Sequence, residues 1–275
     1  MTRIGLSANP QKPVALELAG LARDALEGRA EAILSQETAR ALGATGVPLS
    51  QMEADAVVTF GGDGSVLYAA HRTPIPILGV NVGAMGFLAE VEPTREALHD
   101  ALDRLVKGDF HVEERMRLSL HGLSHDLPDA LNEVLVHSAQ VGKMRSFEVF
   151  VDGQSVGVLR ADGLLVATPT GSTSYSLSVG GPMVDPTLEA ILLCPIAPFT
   201  PSPHALVLGP RHEIGIQPTD RGKDCVVIVD GQQEAPFPWG TSISIYASPR
   251  KARLIRFAPR FLERLRTKSL LPWGV

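Results

Sequence analysis

The chain has 275 residues, 44% of them hydrophobic and 20% charged, enough apolar material for one large domain or two modest ones and too much for a disordered chain. A net charge of −5 and an aromatic content of 5% argue against a nucleic-acid footprint, an anionic-membrane surface or a base-stacking platform. The longest apolar stretch, Ala190 to Phe199, is broken by Pro195 and Pro198 and falls short of the roughly 20 residues of a membrane span, and no signal-peptide pattern follows Arg3, so the expectation is a cytoplasmic protein.

Arg3 to Leu6 reads as a strand. Pro13 then opens a helix whose apolar face runs through Val14, Leu18, Leu21, Ala22 and Ala25, with Gly28 as its stop. Further strands are expected at Ala30 to Leu34, Ala56 to Phe60 and Pro76 to Val80, a short helix at Ser65 to His71, and a helix with the stripe Leu98, Ala101, Leu102 and Leu105 ended by Gly108. Alternation of this kind predicts a Rossmann-like α/β domain with a parallel sheet over residues 1–108. From 109 to 258 the texture changes to strand-length runs separated by Gly, Pro and Asp, which predicts a β-rich C-terminal domain. Phe147 to Val151 and Ser155 to Leu159 flank Asp152-Gly153 as a hairpin, and Cys225 to Val229 meets Asp230-Gly231. The two VDGQ sequences are read as one turn chemistry used twice. Residues 259–270 read as a helix returning to the first domain, with its Arg260 to Lys268 basic set as a solvated face. No low-complexity linker separates the halves, so a tight interface with a cleft is expected. Cys194 and Cys225 lack a CxxC partner and are expected to be buried, inert thiols.

The sharpest chemical feature is Gly61-Gly62-Asp63-Gly64-Ser65 between a strand and a helix start, where bare backbone N–H groups and the helix dipole hold phosphate oxygens. A carboxylate beside phosphate is repulsive unless a metal bridges it or it takes a proton from an attacking hydroxyl. Asp63 therefore suggests phosphoryl transfer, with an ordinary glycine turn capped by Asp63 as the alternative. There is no GxxxxGK[ST], and Asn81 to Gly86 lacks the first glycine of a dinucleotide fingerprint. Asn132-Glu133 offers an amide and a carboxylate suited to sugar hydroxyls, or a solvated strand edge. Asp162 to Tyr175 joins an apolar strand to a turn dense in hydroxyls, which suits a dinucleotide or a capped βα turn. His121 and His125 read as solvated loop residues, and no metal ligands are assigned.

Taken together, GGDGS at Gly61, GVNVGAMGFL from Gly79, LNEV at Leu131 and RADGLLVATPTGSTSYSLSVGGP from Arg160 resemble the NAD kinase family in order and spacing. GGDG alone is shared with phosphofructokinases and lipid kinases, whereas the DG…TPTGSTSY segment is far more specific. The resemblance implies Mg²⁺-dependent transfer of a phosphoryl group from ATP or polyphosphate to the adenosine ribose 2′-hydroxyl of NAD, giving NADP. It implies a donor-binding N-terminal domain, an NAD-binding C-terminal domain with the site between them, and a homodimer or homotetramer. Asp63 would be the base, and Gly61, Gly62, Gly64 and Ser65 would lie near the phosphates. Phe87 would lie against an adenine, and Asn132 and Glu133 would hold ribose hydroxyls. Asp162, Thr170, Thr173, Ser174 and Tyr175 would line the rest of the NAD pocket, with Ala197 meeting a neighbouring subunit's ligand. The chain departs from the family at Ser65, where threonine is frequent, at Ala161, at Asp185, and over 198–203. A sugar-phosphate or lipid kinase and a non-catalytic dinucleotide sensor are the rival readings.

Overall fold

The computed structural model describes residues 2–83, 86–140, 142–200 and 204–270. Two units divide the chain, Met1–Glu114 with Ala252–Val275, and Arg115–Lys251. The first is built from β1 (Arg3–Ala8), α1 (Pro13–Leu26), β2 (Glu31–Leu34), α2 (Gln36–Ala41), β3 (Ala56–Gly61), α3 (Asp63–Ala70), β4 (Ile77–Asn81), α4 (Arg95–Lys107) and β5 (His111–Arg115). The second holds β6 (Leu118–His121), β7 (Glu133–Ser138), β8 (Arg145–Val151), β9 (Gln154–Ala161), β10 (Gly163–Ala167), α5 (Tyr175–Ser178), β11 (Ile191–Ile196), β12 (Leu206–Leu208), β13 (Ile214–Pro218), β14 (Cys225–Val229), β15 (Gln233–Phe237) and β16 (Ile243–Ala247). β17 (Ala252–Arg256) and α6 (Phe261–Thr267) return to the first unit.

The first unit is the expected α/β architecture. Its sheet runs β2-β1-β3-β4-β17-β5, with parallel pairing from β2 through β17. β3 and β4 are buried along their whole length, as strands covered on both faces must be, and they read accordingly as unbroken apolar runs. The chain leaves β1 toward β2 and β3 toward β4, on opposite sides, so the β1/β3 carboxyl ends form a switch point where ligands of open α/β sheets bind. Two expectations change here. The buried face of α1 is Ala15, Leu18, Ala19, Ala22 and Leu26, a true i, i+3/i+4 stripe, while Val14 faces out. The segment 252–258, read with the β-rich region, contributes β17 to the α/β sheet, where Leu254 pairs with Ile77 and both are buried.

The second unit is the expected β-rich one, made of two antiparallel sheets ordered β12-β11-β10-β7-β14-β15 and β6-β16-β13-β8-β9. Alternate residues of both meet in one core, with Val134, Val136, Leu164, Val166 and Val227 facing Phe147, Val149, Ile214, Ile216 and Ile245. β10 is buried on its other face too, where Leu165 and Ala167 join Leu192 and Cys194 in a second cluster. Both VDGQ sequences are hairpin turns of one type, with positive φ at Asp152 and Gly153 (51° and 76°) and at Asp230 and Gly231 (50° and 63°). Cys194 and Cys225 are free and buried, and burial pushes the Cys225 thiol up to about 11. His121 ends a strand rather than lying in a loop, its ring stacked on Tyr246 at 5.5 Å. Among the described residues no helix is long and apolar enough to cross a membrane.

Candidate functional site

At the carboxyl end of β3 the chain turns through Gly61 and Gly62 into α3, which starts at Asp63 rather than Ser65. Gly62 takes the extended N-cap position, and its carbonyl accepts from the N–H of Ser65 at 3.0 Å and of Val66 at 3.3 Å, drawing Asp63 into the first turn. Asp63 does not cap that helix. Its carboxylate reaches 24 to 26 residues onward and accepts three consecutive backbone N–H groups, from Phe87 on Oδ2 at 2.6 Å and from Leu88 and Ala89 on Oδ1 at 2.9 and 3.1 Å. A carboxylate has about four acceptor positions, so Asp63 is held with one position left, on Oδ2, among the described residues. The approach requires Gly86, where an added Cβ would fall 2.0 Å from Asp63 Oδ1. Phe87 is half-buried, its ring 6.3 Å from that of Phe261 and 5.3 Å from the Lys268 ammonium. Ala84 and Met85 of the same stretch lie outside the described residues.

The second unit gathers another set. The loop after β10 grips the start of β7: Thr168 donates its hydroxyl to the Leu131 carbonyl at 2.6 Å and its N–H to the Asn132 carbonyl at 2.9 Å, and its Oγ1 accepts from the Gly171 N–H at 3.1 Å. A Cβ at Gly171 would stand 2.1 Å from the Asn132 carbonyl oxygen, so the hydroxyl-rich turn closes on LNEV only with glycine there. Thr170 and Thr173 belong to a 3₁₀ turn, where Thr170 Oγ1 accepts from Arg115 at 3.2 Å and Thr173 donates to the Thr170 carbonyl at 3.4 Å. Ser174 donates to Glu133 Oε1 at 3.5 Å, and Tyr175 opens α5 with its ring partly exposed. Asn132 has no side-chain partner among the described residues.

Glu133 is 7% exposed, and its Oε2 has no hydrogen-bond partner among the described residues. Burial, aided by the nearby Asp230 carboxylate and opposed by the Ser174 hydroxyl, pushes its carboxyl up to about 8. Asp230 was legible only as a turn residue. Its buried carboxylate accepts the N–H groups of Leu131, Asn132 and Glu133 at 2.8, 2.8 and 2.9 Å. Asp162 and Ala197 stand elsewhere: Asp162 precedes β10, donating its N–H to the Ile196 carbonyl at 3.0 Å, while Glu133 pairs with Ala167 at the other end. At ~3.3 Å per residue, Asp162 and Thr168 are roughly 20 Å apart along the strand. Ala197 is exposed, with φ of 44°, and residues 201–203 of the divergent segment lie outside the described residues.

Sequence reasoning also missed Glu90, Arg256 and Arg264. Arg264 belongs to the basic set read as solvated, yet it is buried, because its stem faces inward on α6 while Arg260 and Arg266 face out. Among the described residues no three His, Cys, Asp or Glu side chains gather as a metal site.

A glycine turn leading into a helix at the switch point of an α/β sheet, a carboxylate held beside it, and a β-sandwich with a buried, partly unpaired acid are the features of a class of α/β proteins whose glycine turns suit phosphate-bearing ligands. Residues 9–110 match the ATP-NAD kinase N-terminal domain, and residues 131–257 match the ATP-NAD kinase C-terminal domain. An NAD kinase of Thermococcus kodakarensis is 38% identical over 264 residues, covering 93% of this chain and 94% of that one. The chain belongs to the NAD kinase family. An NAD kinase from Archaeoglobus fulgidus, solved in complex with ATP, is similar at TM-score 0.78 and 29% identity, covering 95% of this chain and 96% of that one. The yeast NADH kinase solved with NADH shares the fold at TM-score 0.91 and 22% identity, covering 100% of this chain and 89% of that one.

Proposed function

We propose that this chain phosphorylates the adenosine ribose 2′-hydroxyl of NAD, with ATP as donor, to give NADP. The observation that carries the reading is Asp63, whose carboxylate is fixed by three N–H groups yet keeps, among the described residues, one acceptor position beside the glycine turn. In this reading Asp63 takes the hydroxyl proton as the donor's terminal phosphoryl group is attacked, and backbone around Gly61, Gly62, Gly64 and Ser65 holds the phosphates. Phe87 lies against an adenine. Asn132 and Glu133 hold ribose hydroxyls, the open Asn132 amide and the unpartnered Glu133 Oε2 being the groups available for them. Thr170, Thr173, Ser174 and Tyr175 line the pocket beside them. Asp162 and Ala197, at the far end of β10, suit only an extended ligand such as a dinucleotide, with Ala197 assigned to a neighbouring subunit's ligand.

The described side chains do not build a metal site of their own, so Mg²⁺ enters this reading only as a companion of the donor phosphates, and no step is assigned to it. We read the domains as a donor-binding first unit and an NAD-binding second unit, in a cytoplasmic homodimer or homotetramer. Val156 and Val158 on edge strand β9 and Leu206 and Val207 on edge strand β12 are exposed apolar residues that favour self-association, which light scattering in solution would measure. A sugar-phosphate or lipid kinase and a non-catalytic sensor are disfavoured.

The test is incubation with NAD, Mg²⁺ and either ATP or polyphosphate, the product being read with an NADP-specific dehydrogenase. NADP should form with ATP. An NAD analogue lacking only the adenosine 2′-oxygen should bind and not react. Phosphate on that analogue, or turnover of fructose 6-phosphate or diacylglycerol at a rate comparable to NAD, overturns the reading.

A further inference from the structure

The segment that holds Asp63 is itself held from behind. The Phe87 carbonyl accepts from Arg264 Nη1, and the Leu88 carbonyl accepts from Arg256 Nη1 at 2.7 Å. A carbonyl and the following N–H belong to one planar trans peptide and point in opposite directions. The Phe87–Leu88 peptide thus carries a guanidinium on its oxygen and Asp63 Oδ1 on its N–H, and the Leu88–Ala89 peptide repeats the arrangement with Arg256. Both arginines are anchored by Glu90, whose Oε2 accepts from Arg264 Nη2 at 3.0 Å and from Arg256 Nη1 at 3.3 Å, and whose Oε1 accepts the Phe257 N–H at 3.1 Å. The Arg264, Arg256 and Glu90 side chains are 8%, 5% and 1% exposed, so water does not screen them. A cation on a peptide oxygen polarises that peptide and strengthens the bond its N–H donates.

We infer that Arg264 is a positioning residue for Asp63, acting from the C-terminal helix through the Phe87–Leu88 peptide. The inference rests on the proposed role of Asp63 as base. Among the described residues Arg264 makes no hydrogen bond to Asp63, although its charge bears on that carboxylate; through the Phe87 carbonyl it fixes the peptide plane whose N–H fixes Asp63 Oδ1. Its removal leaves Glu90 paired with Arg256, so the unit keeps its ion pair while the Phe87 carbonyl loses its donor.

Steady-state kinetics of full-length Arg264→Met, Arg264→Lys and Arg266→Met test this, with thermal midpoints as the control for folding. For Arg264→Met, kcat should fall about 10- to 100-fold while KM for NAD and for ATP stays within about threefold, as expected when a reacting group is misplaced rather than a binding group lost. Arg264→Lys should recover part of kcat, and Arg266→Met, on the exposed face, should match the parent. In an Asp63→Asn background, Arg264→Met should lower the residual rate little further. Parental kcat in Arg264→Met, a loss confined to KM, or an undiminished loss in the Asp63→Asn background overturns the inference. If Arg264→Met does not fold, Arg264→Lys decides alone: a reduced kcat with unchanged KM supports the inference and a parental kcat overturns it. Parental kcat in Asp63→Asn would instead remove the base reading itself, so the two failures are distinguishable.

Discussion

Asp63 in the first unit and Asp230 in the second make the same bonds to opposite ends. Each carboxylate accepts three consecutive backbone N–H groups, those of 87–89 and of 131–133. Asp63 does so from a partly exposed glycine turn, with the Phe87 and Leu88 carbonyls behind two of its partners taken by arginines. Asp230 does so when buried, and its charge bears on another buried acid, raising the Glu133 carboxyl. Three N–H bonds keep a carboxylate in place in both cases. What differs is access: the Asp63 carboxylate is partly exposed, whereas that of Asp230 is buried and organises a strand beside another acid.

Replacing Asp63 breaks the comparison on the reactive side. Asp63→Asn should lower kcat about 10²- to 10⁴-fold, the usual span for loss of a general base, with KM for NAD changed only a few-fold. The amide is not a silent replacement, because its NH₂ must face one of the three N–H donors, so a lower thermal midpoint should accompany the lost rate. A parental rate would leave Asp63 with a purely structural role like that of Asp230.

On the structural side, Asp230→Asn keeps a residue that tolerates the left-handed turn but turns an NH₂ toward the 131–133 donors. It should cost about 1 to 3 kcal/mol in urea unfolding, with weaker NAD binding as Asn132 and Glu133 loosen. An unchanged midpoint would show that those N–H groups have other acceptors.

Glu133→Gln sharpens the electrostatic half of the contrast. The folded chain keeps Glu133 protonated up to about 8, whereas the unfolded chain ionises it near 4.5, so between those values the folded state binds more protons and stability falls as pH rises. Glutamine has no proton to lose. The thermal midpoint of Glu133→Gln minus that of the parent should therefore grow from pH 5 to pH 9, and a flat difference would place an ionised Glu133 in the folded state.

The smallest effect belongs to the twin turn. Asp152→Asn alters the other VDGQ, where an exposed carboxylate accepts only from the Glu213 N–H and the His212 ring among the described residues, and it should leave the urea-unfolding midpoint close to that of the parent. A loss comparable to that in Asp230→Asn would mean that the turn, and not what its aspartate reaches, carries the energy.

The twin turns also mark the limit of what was legible in sequence. Period-2 and period-3.6 patterns place β1, β3, β4, α1 and α4 because each element declares its own buried face locally. GGDGS, LNEV and TPTGSTSY are legible because glycine, hydroxyl and amide groups stand there at short spacing, the local chemistry that phosphate and sugar ligands require. Nothing local separates Asp230 from Asp152, since the turn is the same and only the 97- to 99-residue reach to 131–133 differs. Arg264 was hidden for a similar reason, because its role depends on a carbonyl 177 residues earlier and a helix of seven residues offers too little pattern to show its inward side.

The place of β17 in its sheet has a consequence for biosynthesis. Lying between β4 and β5, it supplies an interior strand of the first unit from residues that leave the ribosome after the whole second unit, Arg115–Lys251, has emerged. Until residues 252–256 have emerged, β1 through β4 are in hand but the β4 edge is open and Ile77 lacks its parallel partner Leu254. Closure of the first unit's sheet thus depends on a pairing between Ile77 and Leu254 that reaches across the whole second unit, a long-range contact of the kind that is intrinsically slow to form.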